Sequence, residues 1–170
     1  MTALVIVESF YGNTRLIADA IAEGLAQADD VQVLTVAEAA ADVALVGRAD
    51  LLAVGGPTHI HGLASDRSRT GAGDGHPEVD VTGPTLRHWL DGLARGTGRH
   101  AIAFDTRLGK PRIITGSAAR GIARHLEELD YTVLGTESFM VDHGEGPLRE
   151  GEVARARAWG ERTASAARVP

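Results

Sequence analysis

Short apolar runs alternate with helical patterns along most of the chain, and few folds accept such a pattern. Apolar runs predict strands at Leu4–Val7, Val31–Val36, Leu51–Val54, His100–Phe104 and Thr132–Val141. Between and after them, helical spacing predicts helices over about Asn13–Ala28, Pro84–Leu93 and Ser117–Leu129, and a closing one from about Glu150. Strand and helix in alternation argue for a parallel sheet with helices on both faces, an α/β doubly wound three-layer sandwich. Five strands suit the order 2-1-3-4-5. Asp29-Asp30 after the first helix, Pro84 near the start of the second and Ser117 as N-cap of the third are ordinary helix-end punctuation.

The chain has 170 residues, enough for one domain over 1–170 whose core needs no covalent staples. Apolar residues at 44% and charged residues at 24% argue for a folded globular protein rather than a disordered one. A formal net charge of −6 discourages nonspecific nucleic-acid binding and leaves room for basic partners. Arg120, Arg124 and His125 stand beside Glu127 and Glu128, spacings that suit surface pairs on a helix better than a nucleic-acid face. The absence of cysteine excludes disulfides, thiolate metal sites and cysteine nucleophiles. The N-terminus reads as a core strand rather than a signal segment, and no apolar run approaches the roughly 20 residues of a membrane span, so the expectation is a cytoplasmic protein away from membranes. Ala64–Gly83 interrupts the alternation with a long loop insertion that carries Arg67 and Arg69, and loops of that length in compact domains are usually functional or mobile.

In a doubly wound sheet, ligands sit outside the carboxyl ends of the strands where strand order reverses. Three loops fall at that edge. In Ser9-Phe10-Tyr11-Gly12-Asn13-Thr14, Ser9 and Thr14 offer hydroxyls, Asn13 an amide, and Gly12 allows close backbone approach. Local sequence leaves two readings, an anion socket at a helix start or a plain strand-to-helix turn. The segment has neither the three-glycine dinucleotide fingerprint nor the lysine of a nucleotide P-loop, which favours a monophosphate. Gly55-Gly56-Pro57-Thr58-His59-Ile60-His61-Gly62 presents backbone amides and two imidazoles to the same crevice, or two solvent-facing histidines. His59 and His61 lack a convincing third metal ligand, since His76 lies across a glycine-rich loop, and no metal is expected. Phe104-Asp105-Thr106-Arg107-Leu108-Gly109-Lys110-Pro111 stands opposite, so that the two loops can sandwich a planar ligand, with Asp105 addressing its polar edge or closing a turn. Arg107 and Lys110 are expected to be solvated rather than bound to an anion. No Gly-x-Ser-x-Gly elbow supports a hydrolytic triad.

Taken in this order, the three loops resemble those of the flavodoxin family of FMN-binding proteins, over nearly the whole chain. Ser9-Phe10-Tyr11-Gly12-Asn13-Thr14 is similar to that family's phosphate loop, Ser/Thr-x-Ser/Thr-Gly-Asn-Thr, with Tyr11 where a hydroxyl residue is usual. The resemblance implies that Ser9, Tyr11, Gly12, Asn13 and Thr14 bind the FMN phosphate. It also implies that Pro57, Thr58, His59, Ile60, His61 and Gly62 flank the isoalloxazine together with Asp105, Thr106, Arg107 and Gly109. No catalytic side chain is implied, because the flavin carries the redox chemistry. Where the family often stacks Trp or Tyr on the ring, the second loop offers His59 and His61, and the third has no aromatic after Phe104. The tail Asp142–Leu148 is expected to reach the same rim or to be a plain loop before the last helix. The resemblance implies electron transfer with redox partner proteins or a small-molecule acceptor. A flavodoxin-like NAD(P)H:quinone or flavin oxidoreductase is the alternative, followed by a flavin-free interaction protein on the same scaffold.

Overall fold

The computed structural model describes residues 1–26, 30–59, 62–63, 83–109 and 116–168. The strands among them are β1 (Thr2–Val7), β2 (Asp30–Thr35), β3 (Leu51–His59), β4 (Gly62–Leu63), β5 (His100–Leu108) and β6 (Thr132–Val141). The helices are α1 (Asn13–Leu25), α2 (Val36–Ala41), α3 (Val43–Arg48), α4 (Leu86–Asp91), α5 (Ala118–Glu128) and α6 (Glu152–Ala166). The sheet order is β2-β1-β3-β5-β6, all parallel, with the short β4 antiparallel on the far end of β3. Counting the five parallel strands alone, this is the order 2-1-3-4-5 expected from the sequence.

Alternating strand residues feed two cores, one on each face. Ala3, Val5, Val7, Ile102, Phe104 and Phe139 pack against α1 and α6, while Leu4, Ile6, Leu52, Val54, Ala101 and Ala103 face the layer of α2 to α5. α1 and α6 touch through Gly24 and Gly160, where a Cβ on either residue would collide with the backbone of the facing helix. That close approach fixes the seat of α1, and with it the start of the helix at the carboxyl edge.

Two strands run further than local sequence suggests. Gly55-Gly56-Pro57 reads as a turn, yet β3 continues through it to His59, paired with β5 as far as Pro57 and Thr106. Tertiary packing overrides the turn signal, because the Phe104 ring occupies the space a Cβ on Gly55 would need. The Gly55 carbonyl accepts from the Glu8 N–H, so Pro57, two residues on, turns its missing donor to the side where β1 has already ended. β5 likewise continues through Asp105 to Leu108, held by β6 up to Val141, so Asp105–Leu108 is strand and not loop. The alanine-rich segment after β2 forms two short helices. Thr35 and Glu38 make a reciprocal capping box at α2, and the Asp42 side chain caps α3. On α5, Arg124 and Glu128 make no ion pair among the described residues, and His125 Nε2 lies 3.0 Å from the Leu90 carbonyl oxygen.

Candidate functional site

β1 has β2 on one side and β3 on the other, so chain direction through the sheet reverses there and leaves a crevice above its carboxyl end. Ser9–Thr14 leads from this end into α1. Gly12 is the N-cap, held at φ 84° in the left-handed region that favours glycine, and makes no side-chain capping bond. The Arg15 N–H donates to Ser9 Oγ at 3.2 Å and the Leu16 N–H to the Gly12 carbonyl at 3.0 Å. The N–H groups of Asn13 and Thr14 meet no acceptor among the described residues. The first turn of α1 holds no acidic residue, so the positive end of its dipole is not cancelled by the helix itself. Thr14 is buried, and its hydroxyl lies 2.7 Å from that of Thr106, which anchors the turn to β5.

The tail before α6 closes one side of the turn. Asn13 Nδ2 donates to the Glu145 carbonyl at 2.8 Å, and Gly146 packs against the same amide. Arg149 pairs with Asp142 at 3.3 Å, and its guanidinium lies over Gly109 at the end of β5. Asp142–Leu148 therefore reaches the Ser9–Thr14 turn at the start of α1. Arg149, just beyond that motif, had no local signal to connect it with Gly109.

The start of α5, at the same edge, is built differently. Ala118 N–H donates to Thr58 Oγ1 at 2.9 Å, Ala119 N–H to Asp105 Oδ2 at 2.9 Å, and Arg120 N–H to Ser117 Oγ at 3.4 Å. Thr58 and Ser117 in turn donate their hydroxyls to Asp105 Oδ2 at 2.9 and 2.8 Å. Asp105 is fully buried, and its Oδ1 has no hydrogen-bond partner among the described residues. The chain's own carboxylate thus occupies this helix start. α6 also begins after a left-handed glycine, Gly151, but carries Glu152 in its first turn. Among these three starts, α1 alone offers bare N–H groups without an acidic residue in its first turn.

The predicted site residues divide accordingly. Ser9, Gly12, Asn13, Thr14 and Thr106 gather at the start of α1, with Tyr11 in the same turn; Thr58 and Asp105 meet at the start of α5. Pro57 and His59 belong to β3, and Gly62 pairs with His59 through β4. Arg107 is buried with 7% of its surface exposed, which corrects the expectation that it is solvated; β5 carries it inward because the strand persists to Leu108. Ile60, His61, Lys110 and the 64–82 part of the long loop lie outside the described residues. Glu8 escaped the sequence reading: it is buried, and its Oε1 accepts from the Leu86 N–H at 3.0 Å, joining the exit of β1 to α4. Its one signal was a carboxylate directly after an apolar strand.

No family model matches the chain, and no curated protein matches it in sequence. Solved structures do. Oxidised Flavodoxin 2 from Bacillus cereus superposes with a TM-score of 0.68 at 18% identity, covering 99% of this chain and 100% of that one. The fold is flavodoxin-like. A WrbA-like flavodoxin protein from Agrobacterium tumefaciens gives a TM-score of 0.62 at 17% identity, over 98% of this chain and 97% of that one. Rubredoxin oxygen:oxidoreductase from Desulfovibrio gigas matches at 0.67 and 16% identity, over 99% of this flavodoxin-like chain and 37% of that chain. At such identities the likeness concerns the fold, and the site rests on this chain's own residues.

Proposed function

We propose that this flavodoxin-like chain binds FMN and exchanges electrons through it with redox partner proteins or a small-molecule acceptor. The observation that carries this reading is the start of α1, where two bare N–H groups and an unopposed helix dipole lie at the switch point of the sheet. A phosphate monoester fits that start. It would accept from the Asn13 and Thr14 N–H groups, with the Ser9 hydroxyl beside them, and Gly12 keeps side-chain bulk away. When bound, the flavin supplies the one- or two-electron chemistry. Ser9 to Thr14 bind and orient the phosphate. Thr106 holds Thr14 in register, and the Glu145 carbonyl holds Asn13. Two charge-assisted hydrogen bonds at about 1.5 kcal/mol each amount to about 3 kcal/mol, or roughly a hundredfold in affinity over a ligand without the phosphate.

The absorbance spectrum of the purified protein after adding micromolar FMN and removing excess tests the reading. A retained flavin band that bleaches on anaerobic reduction supports it. A protein that leaves all the FMN in the filtrate contradicts it.

A further inference from the structure

Beyond the end of β1, the last residues of β3, Thr58 and His59, pair only with the two-residue β4 among the described strands and form one wall of the crevice above the switch point. A strand end with so short a neighbour gains from a side-chain tie, and here a buried carboxylate supplies it. Asp105 takes the Thr58 hydroxyl, the Ser117 hydroxyl and the Ala119 N–H on one oxygen, while Thr58 Oγ1 receives the Ala118 N–H. The hydroxyl of Thr58 therefore donates to the carboxylate and accepts from the helix, a two-way tie between strand end and helix start. Asp105 is 0% exposed and Thr58 half-buried, so water does not readily replace either bond.

We infer that Asp105 is a positioning residue: through Thr58 it locks the end of β3 to the start of α5 and so fixes the crevice wall against which the flavin ring lies. The inference rests on the FMN reading. Asp105 acts on the ring through Thr58 and not by contact, and it plays no part in holding the phosphate, which lies at the other helix start.

The two ends of the ligand give separate signals, the visible band for the ring and the phosphorus resonance for the phosphate. FMN is added to the wild-type protein and to Thr58→Val, Thr58→Ser and Asp105→Asn. Thr58→Val keeps the side-chain shape and loses both bonds. It is expected to shift the bound-flavin band and weaken FMN about tenfold, with the phosphorus resonance where it stands in the wild type. Thr58→Ser, which restores the hydroxyl, is expected to restore band and affinity. Asp105→Asn replaces three charge-assisted bonds with weaker neutral ones and so loosens the tie; it is expected to shift the band without moving the phosphorus resonance, and it decides the matter if Thr58→Val does not fold. The inference is overturned if the variants give wild-type spectra with FMN bound, or if phosphorus and ring signals move together. A wild-type protein that takes up no FMN overturns the FMN reading itself, and this inference with it.

Discussion

Two helices begin at the same edge of one sheet, a short distance apart, and treat their first N–H groups in opposite ways. α5 has its first three N–H groups taken by Thr58, Asp105 and Ser117, while α1 leaves those of Asn13 and Thr14 bare behind a left-handed glycine. The filled start is a brace. The bare one is suited to an anion from outside, because the dipole and N–H groups that a capping carboxylate would satisfy remain available. The lesson is that a helix start stays open to an anion through what the sequence withholds from it. α6 makes the same point from the other side, since it also begins after a left-handed glycine but supplies Glu152 in its first turn.

The difference should appear as stability at one end and binding at the other. Asp105→Ala removes the acceptor of three donors and is expected to lower the unfolding free energy by about 3 kcal/mol in urea titrations. A variant with wild-type stability and no phosphate binding would reverse the assignment of the two starts. Gly12→Ala meets no steric neighbour, so its effect is conformational: holding φ near 84° costs about 1–2 kcal/mol for a residue with a Cβ. FMN affinity is expected to fall with it, as read by calorimetry.

Asn13→Asp gives α1 a carboxylate of its own, as α6 has. It is expected to weaken FMN about tenfold, and unchanged affinity would mean that the phosphate lies elsewhere. The smallest effect is a control away from the edge. Thr35 donates its N–H and hydroxyl to Glu38 at 2.7 and 2.8 Å, which holds that carboxyl below its ordinary value. The capping contribution is therefore present above about pH 4.5 and fades as pH falls through the lowered value of the folded state. Glu38→Gln is expected to cost about 0.5 kcal/mol at neutral pH, to flatten this part of the acid limb in melts taken across pH, and to leave FMN binding alone.

Much of the edge was legible in sequence because it is local. Apolar alternation pointed to the parallel sheet, and the hydroxyl, amide and glycine that shape the start of α1 lie within six consecutive residues, Ser9–Thr14. What escaped depended on distant packing. Gly55 looks like part of a loop until the Phe104 ring fills the space above it, and Arg107 looks solvated until β5 is seen to run on to Leu108. From sequence, Asp105 faces a ligand or closes a turn. Its bonds to Thr58 and Ser117 join residues far apart in sequence or beyond an intervening loop, and no spacing rule reaches that far. The capping box at Thr35 and Glu38 was within reach, since a Thr followed three residues later by Glu is a readable helix start.

The most direct measurement is a side-by-side calorimetric titration of the purified protein with FMN and with riboflavin, which share the ring and differ in the phosphate. FMN is expected to bind roughly a hundredfold more tightly, with most of that advantage lost in Asn13→Asp. Equal affinity for the two, or an advantage that Asn13→Asp leaves intact, would contradict a phosphate site at the start of α1.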